Sequence, residues 1–273
     1  MTSGTMSPVK PRDLQAAVHV ESSGQGAPLV LLHGWGLHAG LFAPLGAALA
    51  PIARVHAVDL PGHGDSAPLR PWTLAGVVGA LERTFERESR PLHVLGWSLG
   101  GLIALSWALA HPGRIARLVL VSTTPRFVTG AHWPHAMAPE TLRRFSDELA
   151  VAYRPTLQRF LTLQVQGSEA GRAVLAELRA RLFERGEPDR SMLADALAVL
   201  ESADLRESVH RVEARTLIVH GDRDALVPQG AGRWLARELP AARPLFVEGA
   251  AHAPFLSHPA PVLAALREHL GDG

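Results

Sequence analysis

The chain has 273 residues, 47% of them hydrophobic, with 27 basic and 26 acidic side chains and a formal charge of +1. It can therefore bury a large core, and its charge balance gives no electrostatic case for nucleic acid. It has no cysteine, which excludes a thiol nucleophile, a thiolate metal site and disulfides. Residues 1–12 are polar and contain proline, without the apolar stretch of a secretion signal, and no apolar run approaches a membrane span. A disordered tail over 1–12, a cytoplasmic location and no membrane association are expected.

In chain order, apolar runs at 16–20, 29–32, 55–58, 92–95 and 118–121 read as strands, and amphipathic segments at 41–49, 74–85 and 102–110 alternate with them. That rhythm predicts an α/β fold with a mostly parallel sheet covered by helices on both faces. The run 29–32 ends in His33-Gly34-Trp35-Gly36, whose glycines let backbone amides turn toward a site. Trp35 is the candidate oxyanion donor there, and its indole reads equally as core or as pocket wall. After 55–58 comes Asp59-Leu60-Pro61-Gly62-His63-Gly64-Asp65-Ser66, a strand-to-helix turn in which Asp59 reads as structural.

The run 92–95 leads into Gly96-Trp97-Ser98-Leu99-Gly100, a G-x-S-x-G box between a strand and a helix. A nucleophile elbow needs that setting: a turn too tight for side chains on either side, and a helix N-terminus aimed at the reacting atom. Ser98 is the candidate nucleophile, and the N–H of Leu99 is the second oxyanion donor.

The alternation stops at Thr123 and resumes at Arg215. Between them lie helical patterns at 141–153, 156–166, 170–183 and 191–200, with breaks at Pro155, Gly167, Gly186 and Pro188. A helical insertion between two strands predicts a lid over 123–214, leaving 13–122 and 215–273 as the core. His132-Trp133-Pro134-His135 is a poor metal motif because Pro134 breaks the helix that would pair the imidazoles, and no metal or cofactor is expected.

Apolar runs at 216–219 and 245–247 each end in a loop, Gly221-Asp222-Arg223-Asp224-Ala225-Leu226-Val227-Pro228 and Gly249-Ala250-Ala251-His252-Ala253-Pro254-Phe255. The order serine, acid, histidine is that of the α/β-hydrolases. His252 is the candidate general base, with His33, His63 and His220 structural. Asp224 is favoured as the acid because the apolar residues after it can anchor a rigid loop; Asp222 and Glu248 are the alternatives.

His33-Gly34-Trp35-Gly36-Leu37, Asp59-Leu60-Pro61-Gly62, Gly96-Trp97-Ser98-Leu99-Gly100-Gly101, Phe160-Leu161-Thr162-Leu163-Gln164 and 251–259 together resemble the pimeloyl-acyl-carrier-protein methyl ester esterases of biotin synthesis, over roughly 18–270. Most of these boxes mark the broad α/β-hydrolase superfamily; the Trp97 form of the elbow and the box at 160–164 are narrower. The resemblance implies hydrolysis of a pimeloyl methyl ester held on acyl carrier protein, with release of methanol. It also implies that Trp35, Ser98, Leu99, Phe160, Leu161, Thr162, Leu163, Gln164 and His252 line the substrate site. For Phe160, Leu161 and Leu163 the alternative is lid core. An acidic carrier would meet Arg154, Arg159 and Arg172, which otherwise belong to a solvated mixed-charge face. A monomer is expected. A general short-chain carboxylesterase, a lactonase, a proline iminopeptidase, a perhydrolase and a non-catalytic small-molecule receptor are the competing readings on this scaffold.

Overall fold

The structure, a computed structural model, describes residues 18–271. The expected tail over 1–12 and the first two residues of the run at 16–20 lie outside these. The described residues form a seven-stranded sheet of order β1-β3-β2-β4-β5-β6-β7. Its strands are β1 (Val20–Ser23), β2 (Ala27–Leu32), β3 (Ala53–Val58), β4 (Leu92–Trp97), β5 (Ile115–Val121), β6 (Arg215–Gly221) and β7 (Ala242–Val247). Only β1 runs antiparallel, against β3. The interior strands are rich in buried apolar residues, as burial on both faces demands, with Leu29 to Leu32 and Leu118 to Val121 fully buried.

Helix α1 (Ala43–Leu49) packs against α10 (Pro259–Gly271) on one face, while α2 (Leu74–Phe85) packs against α3 (Leu99–Ala110) on the other. α8 (Gln229–Glu238) covers β6 and β7. The chain steps from β2 outward to β3, then returns across β2 to β4, so β2 and β4 are neighbours at the point where strand order reverses. Loops leaving the carboxyl ends of such strands diverge and open a crevice. The loop 33–36 and the elbow at Ser98 flank it.

Four helices fall between β5 and β6: α4 (Pro139–Val151), α5 (Tyr153–Gln164), α6 (Gly171–Arg181) and α7 (Arg190–Ser202). Pro155, expected to interrupt the helices, does not do so. It sits in the first turn of α5, where no intrahelical N–H is lost, and the break falls at Ala152 with φ −131. The C-terminal end of α6 is fastened to the core. His38 Nε2–H donates to the Arg181 carbonyl at 2.7 Å, and Arg185 bonds buried Asp59 at 3.2 Å and Glu21 at 2.6 Å. Asp59 also accepts the N–H groups of Ala39 and Asp65 at 2.6 and 3.0 Å, so its charge is matched on every side.

Candidate active site

β4 ends at Trp97 and α3 begins at Leu99, leaving Ser98 to turn the chain alone, with φ 55 and ψ −116. A non-glycine residue held there stores about 1–3 kcal/mol and persists only where its surroundings over-determine it. The surroundings are tight: a Cβ on Gly96 would strike the Gly100 carbonyl, and one on Gly100 would strike that of Leu32. The Ser98 N–H donates to the Val121 carbonyl at 2.9 Å, and the Thr123 hydroxyl donates to the Ser98 carbonyl at 2.7 Å. The hydroxyl is thereby presented at the crevice.

Two backbone amides border it. Leu99 opens α3, so its N–H has no partner within the helix and adds to the positive end of the helix dipole. Trp35 lies in the loop after β2. Among the described residues, neither of these N–H groups donates to a protein acceptor. Leu99, next to Ser98 in the chain, and Trp35, which lines the same pocket, are the candidate donors for an oxyanion.

The loop carrying Trp35 is fixed by two buried histidines. His33 donates from Nδ1 to the Gly34 carbonyl at 2.8 Å and accepts the Leu60 N–H on Nε2 at 2.9 Å. His63 donates from Nδ1 to the Pro61 carbonyl at 3.2 Å and accepts the Gly36 N–H at 3.4 Å. Each ring must be neutral to accept, and burial first of all pushes His33 down to about 3 and His63 down to about 4. Below pH 6.5 the unfolded chain therefore takes up protons that the folded chain refuses, and stability rises with pH through this window at up to about 1.4 kcal/mol per unit for each ring. Urea unfolding is expected to show the protein less stable by at least about 2 kcal/mol at pH 5 than at pH 7. A flat profile would mean that these rings titrate normally.

His252, fully enclosed, follows β7 in the loop 249–253. Its Nδ1–H donates to Asp224 Oδ2 at 2.8 Å, which leaves Nε2 as the basic nitrogen. The other Asp224 oxygen accepts the N–H groups of Leu226 and Val227 at 3.0 and 2.9 Å. Burial alone would raise the Asp224 carboxyl, but the attraction and hydrogen bond of His252, with His220 and the Val227 amide behind them, hold it below its usual value. The geometry therefore joins Asp224 to the histidine. Asp222 instead accepts the Gly249 N–H at 2.8 Å, fastening the histidine loop to the β6 loop, and Glu248 is exposed. His220 donates to the Val227 carbonyl at 2.8 Å and lies 3.6 Å from Asp224, a structural support for the acid.

Ser98 and His252 line one pocket without a hydrogen bond between them, a contact that commonly tightens only when substrate binds. The remaining walls are apolar. The core supplies Trp35, Leu226 and Val227; the segment before α4 supplies Phe127 and Met137; the helices supply Leu142, Phe145, Phe160, Leu197 and Leu200. The Trp35 side chain is thus a wall, and it is also an anchor, since its indole N–H donates to the Leu193 carbonyl of α7 at 2.9 Å. Its ring meets Phe160 edge-on at 4.9 Å.

The stretch 160–164 does not line this pocket as a unit. Successive residues of a helix point about 100° apart, so the five cannot share one face: 160, 163 and 164 lie on one side, and 161 and 162 point away from it. Phe160 reaches the pocket; Leu161 is buried in the core, Thr162 is exposed and bonds the Gln158 carbonyl, and Leu163 is half-buried. Gln164 is buried and contributes its backbone carbonyl, which accepts the His252 N–H at 3.0 Å. The arginines also differ from one another. Arg154 pairs with Glu187 at 2.5 Å, and Arg159 grips Glu148 at 2.6 Å while lying 4.8 Å over the Phe145 ring. Arg172 is exposed and, among the described residues, has no acidic partner.

Residues 27–259 match the family model described as the alpha/beta hydrolase fold. A pimeloyl-acyl-carrier-protein methyl ester esterase of Chromobacterium violaceum is 45% identical over 251 residues, covering 92% of this chain and 97% of that protein. One of the same name from Nitrosomonas europaea is 42% identical over 244 residues, covering 89% and 96%. Among solved structures, an esterase from Exiguobacterium antarcticum superposes with a TM-score of 0.86 at 20% identity, covering 94% of this chain and 98% of its own, a likeness of fold alone. No helix among the described residues is long and apolar enough to cross a membrane. The elbow, the acid-histidine pair and these relatives together place the chain in the α/β-hydrolase fold family, among the pimeloyl-acyl-carrier-protein methyl ester esterases.

Proposed function

We propose that the protein is a serine esterase that hydrolyses the methyl ester of a pimeloyl chain held on acyl carrier protein, releasing methanol and the carrier-bound acid. The observation that carries the chemistry is the pocket in which strained Ser98 meets His252, itself bonded to Asp224, beneath apolar walls. The relatives' names carry the substrate. Ser98 Oγ attacks the ester carbonyl as His252 Nε2 takes its proton, and the oxyanion is met by the N–H groups of Trp35 and Leu99. His252 returns the proton to the departing methoxide, and water then clears the acyl-enzyme by the same route. The apolar walls suit a methylene chain, and residues 123–214 serve as the lid that supplies most of them.

The carrier reading gives the lid arginines unequal parts. Arg172 is the cation open to an acidic partner, whereas Arg154 and Arg159 already hold glutamates. Arg172→Glu is expected to lower kcat/KM for the carrier-bound ester by about threefold to tenfold while sparing p-nitrophenyl butyrate, and added salt is expected to weaken the wild-type preference for that ester. Arg159→Glu is expected to harm both substrates, because it opens the contact over Phe145, a pocket wall. A carrier preference indifferent to Arg172 and to salt would assign the protein to free esters and the general carboxylesterase reading.

A further inference from the structure

Trp97 occupies the variable position before the nucleophile and is fully buried, yet it does not line the pocket that holds Ser98. Its indole N–H donates to the backbone carbonyl of His252 at 2.8 Å, across 155 residues of sequence. Its ring lies against three parts of the site. A methyl group on Gly34, in the oxyanion loop, would come within 3.2 Å of it; the His252 ring is 5.7 Å away; and Phe255 of the short helix α9 (Pro254–Ser257) meets it edge-on at 5.3 Å.

The loop that carries His252 needs such a hold. Gly249, Ala250 and Ala251 precede the histidine, and none has a side chain long enough to lock the backbone. The peptide groups of His252 are instead held from both sides: its N–H by the Gln164 carbonyl at 3.0 Å and its carbonyl by Trp97. The Asp224 bond holds the ring at Nδ1, and Trp97 holds the backbone behind it. Trp97 is covalently joined to Ser98 and hydrogen-bonded to His252, so one rigid side chain spans nucleophile and base. The same ring fills the space beside Gly34 that a side chain there would need, so it also backs the loop bearing the Trp35 amide.

We infer that Trp97 is a positioning residue of the reaction, fixing the base and the oxyanion loop at their working distances from Ser98 through its bond to the His252 carbonyl and its contact with Gly34. The inference rests on the serine esterase reading above. It does not depend on whether the ester is carrier-bound, so it is tested with p-nitrophenyl butyrate.

The experiment removes the N–H while keeping the ring. Trp97→Phe does so crudely; 3-benzothienylalanine placed at 97 by codon suppression does so with the ring volume preserved, and serves if the phenylalanine variant fails to fold. Active sites are titrated with a fluorophosphonate, so that kcat is expressed per reactive Ser98 and loss of folded protein drops out. A displacement of about 1 Å in a reacting group can cost on the order of a hundredfold, so kcat per titrated site is expected to fall about tenfold or more, with KM within about twofold and slower phosphonylation. A kcat per site within twofold of wild type would overturn the inference and leave the bond as a contributor to stability. A raised KM with kcat unchanged would also overturn it, by making Trp97 part of the substrate surface. Failure of the reagent to label Ser98 in the wild type would refute the esterase reading instead.

Discussion

Replacing Ser98 with alanine is expected to lower kcat by about a millionfold, to the level that binding and oxyanion donors alone provide, and His252→Ala is expected to do nearly the same because the two act as one unit. The fold should survive both changes. Alanine at 98 keeps the backbone bonds to Val121 and Thr123, and alanine at 252 keeps those to Gln164 and Trp97. Matching thermal unfolding of wild type and variants, together with steady-state rates on p-nitrophenyl butyrate, checks both halves of the expectation. Retention of more than about a hundredth of wild-type kcat by either variant would remove that residue from the chemistry.

Asp224→Asn is expected to cost on the order of 10⁴ in kcat with little change in fold, and the structure says why an isosteric change is so damaging. One side-chain oxygen accepts two backbone N–H groups, from Leu226 and Val227, and the other accepts the His252 Nδ1–H. An asparagine must keep its oxygen toward the two amides, which turns its NH₂ toward His252. That donor is satisfied only if Nδ1 becomes an acceptor, which places the ring proton on Nε2 and leaves no base facing Ser98. Asp222→Asn should cost less than about threefold, since its oxygen can still accept the Gly249 N–H. An exchange of these two phenotypes, read in kcat at neutral pH, would transfer the acid's role to Asp222.

Much of this was legible in the residues, for reasons local to each. Ser98 announced itself because an elbow imposes glycine at 96 and 100, and His252 because a small-residue loop after a strand has little other use for an imidazole. Asp224 could be told from Asp222 because Leu226 and Val227 anchor the loop that its carboxylate caps. The parallel sheet was readable from its interior runs. β1 was not, since Glu21, Ser22 and Ser23 are exposed on an edge strand and lack an apolar pattern. The segment between β5 and β6 showed its four helices but not its pocket face. Leu142, Phe145, Leu197 and Leu200 have the spacing of ordinary amphipathic packing, and only the tertiary arrangement shows that they surround a cavity. Of the box at 160–164, Phe160 lines this pocket, and Gln164 holds the His252 backbone. The Trp97 to His252 bond joins elements far apart in the chain and has no local signature at all.

On the proposed function, Ser98 attacks the methyl ester and spares the thioester that joins the acyl chain to the carrier. Purified enzyme mixed with pimeloyl-carrier methyl ester, followed by intact mass of the carrier and by methanol release, distinguishes the two carbonyls directly. One methanol per carrier is expected, with a carrier lighter by one methylene group and its acyl chain still attached, and neither change with Ser98→Ala. Release of the free carrier thiol without methanol would show that the thioester is the bond cleaved, and would contradict the proposed function.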